Sequence, residues 1–72
     1  MNIKLTPRQR EIAALLLLGL CHKEIAQRLS ISVRTVQDHT RDVERAFNVH
    51  SIKELVFKLW EMPEWISPSQ SL

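Results

Sequence analysis

With 72 residues the chain has length for one small domain, and 44% hydrophobic with 25% charged residues is the balance of a folded globular chain, which excludes a disordered tail protein. The net charge of +2 is a weak basic bias, but residues 1–53 hold nine Lys/Arg against five Asp/Glu and the remainder is net acidic, so positive charge is concentrated upstream. One glycine and three prolines leave little punctuation for a multi-stranded sheet, and helix-forming Leu, Ala, Glu, Lys, Arg and Gln dominate.

The first element starts at Thr6-Pro7-Arg8-Gln9. Threonine caps, proline takes the first helical position, and glutamine three residues on completes a capping box. Ile12, Leu15, Leu16 and Gly19 follow at i, i+3, i+4 and i+7 and predict the buried face, with Gly19 near the helix end and small enough for close packing. The longest apolar run, "AALLLLGL", is too short to cross a bilayer. It also follows Pro7, Arg8 and Arg10 too closely, and lacks the cleavage pattern, for a signal peptide.

A short second helix is predicted from about His22 to Leu29, with Ile25, Ala26 and Leu29 buried. Ser30-Ile31-Ser32 breaks the pattern. Ser32 is a good cap for a third helix, with Val33 first inside it. Val33, Val36, Thr40, Val43 and Phe47 then recur in steps of three and four and predict one buried stripe. Ser51-Ile52-Lys53-Glu54 reads as another capping box, opening a fourth helix through about Met62 with Ile52, Leu55, Val56 and Leu59 toward the core; Pro63 ends it. The expectation is an all-α chain in which a short helix, a three-residue turn and a longer helix form a helix-turn-helix. Residues 1–62 would be the domain and residues 63–72, ending in the polar "SPSQSL", a C-terminal tail.

Opposite its valine stripe the third helix carries Arg34, Asp38, Arg41, Asp42 and Arg45, with Gln37 at the edge. A helix of this width fits the major groove of B-DNA, with its early turns nearest the base edges and its later ones over the backbone. Arginine can bond two acceptors on guanine, glutamine can pair with adenine, and aspartate can accept from the cytosine amino group. Arg34, Gln37, Asp38 and Arg41 stand in those early turns; Arg45 lies further along, toward phosphate. The blander reading is a solvated helix face, and Asp38 and Asp42 favour it because carboxylates repel phosphates.

"LTPRQREI", "GLCHKEIAQRLSIS", "RTVQDHT" and "FNVHS", in this order and spacing, resemble the LuxR/GerE/FixJ-type helix-turn-helix domain from residue 5 to about residue 61. The resemblance implies a four-helix, usually dimeric DNA-binding domain that regulates transcription, with the third helix in the major groove. It places Gln37, Asp38 and Arg41 toward bases, and Lys23, Thr35 and His39 near the DNA backbone. Four positions depart from the family pattern: Cys21 stands where a capping serine is usual, Asn48 where a glycine is usual, Gln37 where lysine is frequent, and Asp38 where an acid is unusual. A thiol accepts poorly, so the second helix start should be looser; asparagine tolerates the left-handed conformation. Gln37 and Asp38 leave two outcomes open, a narrower sequence read or weaker binding.

Leu17, Leu18, Phe57, Trp60, Trp65 and Ile66 lie off the predicted core stripes, more apolar area than a small chain leaves wet. Either the tail folds back so that "EWI" covers Leu17 and Leu18, or Trp60, or these residues meet partners. For the second case the resemblance implies a homodimer through Phe57 and Trp60 of the fourth helix, while Leu17 and Leu18 would meet another protein. Cys21, the only cysteine, cannot form an intramolecular disulfide, fits a reducing setting, and reads as a small buried or half-buried residue. Cys21-His22 lacks metal-binding spacing or an orienting cluster, so neither a metal, a cofactor nor an enzyme is expected. His39 and His50 read as surface or phosphate-contacting groups. The expected function is a stand-alone regulator of transcription binding duplex DNA in the cytoplasm, on the nucleoid of a bacterium or a phage-infected cell, with no membrane association. Four residues before "LTPRQREI" leave no room for a receiver or signal-binding domain, so control would come from the protein's amount or from another protein. The rival reading is a small protein-binding adaptor that pairs with a larger relative, motivated by the acidic groups of the third helix and the surplus leucines.

Overall fold

A computed structural model of the chain describes residues 3–66, and within them the helices begin and end where neighbouring side chains satisfy the terminal backbone. The described residues form helices α1 (Pro7–Leu17), α2 (His22–Leu29), α3 (Val33–Phe47) and α4 (Ile52–Glu61), followed by a 3-10 turn at Pro63–Trp65. The all-α architecture is as expected; residues 67–72 of the proposed tail lie outside the described residues. Thr6 Oγ1 accepts from Gln9 N–H at 3.1 Å and Gln9 Oε1 accepts from Thr6 N–H at 3.0 Å, so the first box is complete. Ser32 Oγ accepts from Thr35 N–H at 3.0 Å and opens α3. At α4, Ser51 Oγ accepts from Glu54 N–H at 3.1 Å, but the Glu54 carboxylate reaches His50 N–H at 3.0 Å instead of Ser51, so the predicted second box is only half made.

The helix ends share one device that the sequence disclosed at only one position. Gly19 (φ 96°), Ser30 (φ 57°) and Asn48 (φ 58°) each turn left-handed just past α1, α2 and α3. The following residue then donates back across the turn: Leu20 N–H to Leu15 O at 3.1 Å, Ile31 N–H to Ala26 O at 3.0 Å, and Val49 N–H to Glu44 O at 3.0 Å. These are Schellman closures, and each puts an apolar residue against the core after the turn. Asn48 takes the conformation expected of it. Gly19 does not serve close packing, since a Cβ built there meets nothing within 4 Å among the described residues; its value is the positive φ. Ser30 takes the same conformation with a Cβ in place, a strain of about 1–2 kcal/mol for an L-residue.

α3 packs against α1, α2 and α4, so its stripe is the centre of the core. Val36, Thr40, Val43 and Phe47 are buried from α3, Ile12, Ala13 and Leu16 from α1, Ile25 and Ala26 from α2, and Leu55 and Leu59 from α4. Two expected core residues are not there: Val33 is 39% exposed and Ile52 is 38% exposed. Both are the first residue of their helix, where the overhanging first turn has no neighbour to pack on. On α1 the buried stripe rotates toward Ala13, leaving Leu15 and Leu17 partly buried; Val56 is likewise only half-buried. Before α1, Leu5 joins the core and Arg10 holds its carbonyl at 2.8 Å.

α4 stops at Glu61, one residue short of expectation, because Pro63 keeps Met62 out of the helical conformation (φ −125°, ψ 81°). The chain then turns back. Trp65 is 4% exposed, packs in the core, and its Nε1–H donates to the Leu59 carbonyl at 2.9 Å. The fold-back reading therefore holds for Trp65, which lines a groove with Leu17 and Leu18 of α1. It does not account for Leu18, 74% exposed, or Trp60, 76% exposed, which stay uncovered by the described residues.

Four substitutions test these features by their effect on stability. Ser30→Gly should raise the free energy of urea unfolding by roughly 1 kcal/mol and Gly19→Ala should lower it by a similar amount, because only glycine adopts the left-handed turn without strain. Trp65→Ala should cost about 3–5 kcal/mol, most of the stability of so small a domain, and Trp65→Phe about 1 kcal/mol through the lost indole hydrogen bond.

Candidate nucleic-acid interface

The site follows from the fixed orientation of α3. With Val36, Thr40, Val43 and Phe47 locked inward, the helical period turns Arg34, Gln37, Asp38, Arg41, Asp42 and Arg45 outward. All six are exposed, with side-chain exposures of 84% for Arg34, 61% for Arg41 and 72% for Arg45. No described segment covers them, and Trp65 and Ile66, the last described residues, line a groove on α1 instead. The three-residue turn Ser30–Ser32 brings α2 beside the start of α3, completing the helix-turn-helix.

The arginines are not bare. Arg34 Nε lies 3.6 Å and Arg41 Nη1 3.5 Å from the same Asp38 Oδ1, and Arg45 Nη1 lies 3.2 Å from Asp42 Oδ1. Helical spacing of three and four residues makes these pairs, so the face alternates in sign instead of forming a positive ridge. α3 as a whole holds three arginines, two aspartates and a glutamate, and carries no net formal charge.

The remaining expected contact residues lie around this strip. Lys23 is exposed in the first turn of α2. Thr35 is half-buried and its hydroxyl is 2.9 Å from Ser32 Oγ, engaged at the cap of α3. His39 is half-buried on the flank of α3, and His50 is exposed beside Arg45 in a cleft at its far end. On the other flank, His22 shares a cleft with Gln37, Thr40, Arg41, Glu44 and Ile52. The start of α2 therefore lies beside Gln37 and Arg41. The sequence gives no sign of a DNA-facing place for His22 or Glu44; only the crossing of α2 on α3 brings them to the strip. His22 Nε2 and Thr40 Oγ1 are buried with no hydrogen-bond partner among the described residues.

Cys21 is exposed, not buried as expected, because it is the N-cap residue of α2 and stands outside the helix. Its thiol has the place of a capping-box hydroxyl but makes no cap-quality hydrogen bond of its own; the Glu24 carboxylate carries the cap, accepting from Cys21 N–H at 2.8 Å. That backbone bond first, and the Cys21 side chain second, hold Glu24 below the usual carboxylate range.

Away from α3, Phe57 is 61% and Trp60 76% exposed, three residues apart on one face of α4. Leu18 is exposed at the end of α1, whereas Leu17 is half-buried. Among the described residues no cluster of His, Cys, Asp or Glu could hold a metal ion, and no helix is long and apolar enough to cross a membrane.

Comparison with known proteins agrees with this geometry. Residues 4–59 match the GerE family, bacterial regulatory proteins of the luxR type. The chain is 37% identical over 59 residues to the tetrathionate response regulatory protein of Salmonella typhimurium, a match covering 82% of this chain and 29% of that protein. It is 42% identical over 52 residues to proteins named as HTH-type transcriptional regulators in Mycobacterium bovis and Mycobacterium tuberculosis, covering 72% of this chain and 6% of each of theirs. The chain thus corresponds to a minor part of each of these longer relatives. It belongs to the luxR family of bacterial regulatory proteins, a family of DNA-binding transcription regulators and not of enzymes.

Proposed function

We propose that the protein is a sequence-specific regulator that inserts α3 into the major groove of duplex DNA, acting as a homodimer. The observation that carries this reading is the two-sided character of α3: one face fixed in the core and the opposite, arginine-bearing face open along its length. Arg34, Gln37, Asp38 and Arg41 read base edges; Lys23, Thr35, His39 and Arg45 meet the phosphate backbone and supply affinity. Residues 1–62 form the DNA-binding unit, with residues 63–72 as a tail that contributes Trp65 to its core. The place of action is the cytoplasm, on the nucleoid.

Phe57 and Trp60 form the dimer contact. Large aromatic side chains exposed together are costly in water and dominate interfaces when buried. Pairing through α4 would carry two copies of α3 about 34–36 Å apart, one turn of DNA. A second reading, a protein-binding adaptor that engages a larger relative, is favoured by the uncharged sum of α3 and by Leu18, exposed beside the α1 groove.

Selection of bound duplexes from a random pool, followed by titration, separates the two. A DNA binder yields a preferred site and loses affinity steeply with salt, whereas an adaptor binds duplex poorly at any salt and holds a protein at fixed stoichiometry. On the preferred site Arg41→Ala should cost about 1–3 kcal/mol; an unchanged titration removes Arg41 from the reading set. Light scattering should show a dimer for the natural chain and a monomer for Trp60→Ala; a monomer in both would exclude α4 as a dimer contact.

A further inference from the structure

We propose that Asp38, which bridges Arg34 and Arg41, determines the specificity of this interface by opposing non-specific DNA and yielding only to a site that offers it a hydrogen-bond donor. The proposal rests on the reading of α3 as the DNA-reading helix. Asp38 does little for the fold. Its side chain is 54% exposed, its arginine partners are 61% and 84% exposed, and ion pairs so open to solvent contribute little to stability. Its effect falls on what approaches the helix.

Non-specific binding is a contest of charges: each phosphate neutralised by an arginine releases counterions, and that gain supplies nearly all the affinity. A phosphate approaching Arg34 or Arg41 meets a carboxylate 3.5–3.6 Å from each guanidinium. At about 0.1 M salt the screening length is roughly 10 Å, so that carboxylate repels any phosphate close enough to bond either arginine. The helix as a whole offers no net charge to offset the repulsion. A base edge is different. The cytosine amino group is a donor in the major groove and can satisfy Asp38, while Arg34 and Arg41 on either side turn to guanine acceptors or to phosphate. The same carboxylate is then a cost on a wrong sequence and a contact on the right one, which is how specificity arises from a difference of affinities.

The test uses the whole chain, a random-sequence duplex and the preferred duplex from the selection, titrated by anisotropy across salt concentrations. Asp38→Asn, nearly isosteric, should tighten the random duplex by roughly tenfold at low salt and steepen the salt slope by about one to two. The preferred-to-random ratio should fall by about tenfold, and repeating the selection with the variant should lose the cytosine at one position. Glu11→Gln, which removes the same charge from α1, should change neither ratio nor slope. Unchanged slope and ratio in Asp38→Asn, or an equal shift in Glu11→Gln, overturns the proposal while leaving the DNA reading intact. Binding by Asp38→Asn where the natural chain holds no random duplex supports it. No duplex bound by either chain sinks the DNA reading itself and this inference with it.

Discussion

The burial of Val36, Thr40, Val43 and Phe47 among the other three helices is the constraint from which the rest of the molecule follows. Those four side chains fix the rotation of α3 about its own axis. Once that rotation is set, the exposed strip on the far side has no freedom to choose its members. A helix rolled by one residue, about 100°, would exchange Val36, Thr40 and Val43 for Gln37, Arg41 and Glu44, or for Thr35, His39 and Asp42, and could not be compensated in so small a core. The same packing that makes the domain stable therefore aims its polar chemistry.

Two further elements keep that aim true. Left-handed turns at Gly19, Ser30 and Asn48 end three successive helices within a residue or two and return an apolar side chain to the core each time. The connections have no slack, so α2 meets α3 at one angle and the start of α2 opens beside Gln37 and Arg41. The charge pattern acts at the next level. Alternating arginines and aspartates give α3 a surface of local dipoles instead of a uniform field, a surface suited to matching a pattern more than to attracting a polyanion.

Much of this was legible in the chain because it is local. Helix starts at Thr6, Ser32 and Ser51 are decided by residues three apart, and the outward strip of α3 follows from the 3.6-residue period. Periodicity names a face but not the extent of what covers it, which is why Val33 and Ile52 were placed in the core and stand at its edge. Ser30 gave no warning of a left-handed turn, since serine has no special preference for it, and Gly19 suggested close packing where it supplies a dihedral angle. The Asp38 pairs were implicit in the spacing of residues 34, 38 and 41, but which rotamers meet is a matter of three dimensions. The clustering of His22 with Gln37 and Arg41, and the return of Trp65 to Leu59, join residues distant in sequence and left no periodic trace.

The two tryptophans end in opposite surroundings. Trp65 is enclosed, with its indole nitrogen bonded to a backbone carbonyl, and Trp60 is almost wholly in water. One chain thus carries two built-in optical probes of separate events. Emission from the enclosed ring should be blue-shifted and hidden from iodide, and should move to the red when the core opens. Emission from the solvated ring should be red-shifted, quenchable, and altered by whatever comes to rest on α4.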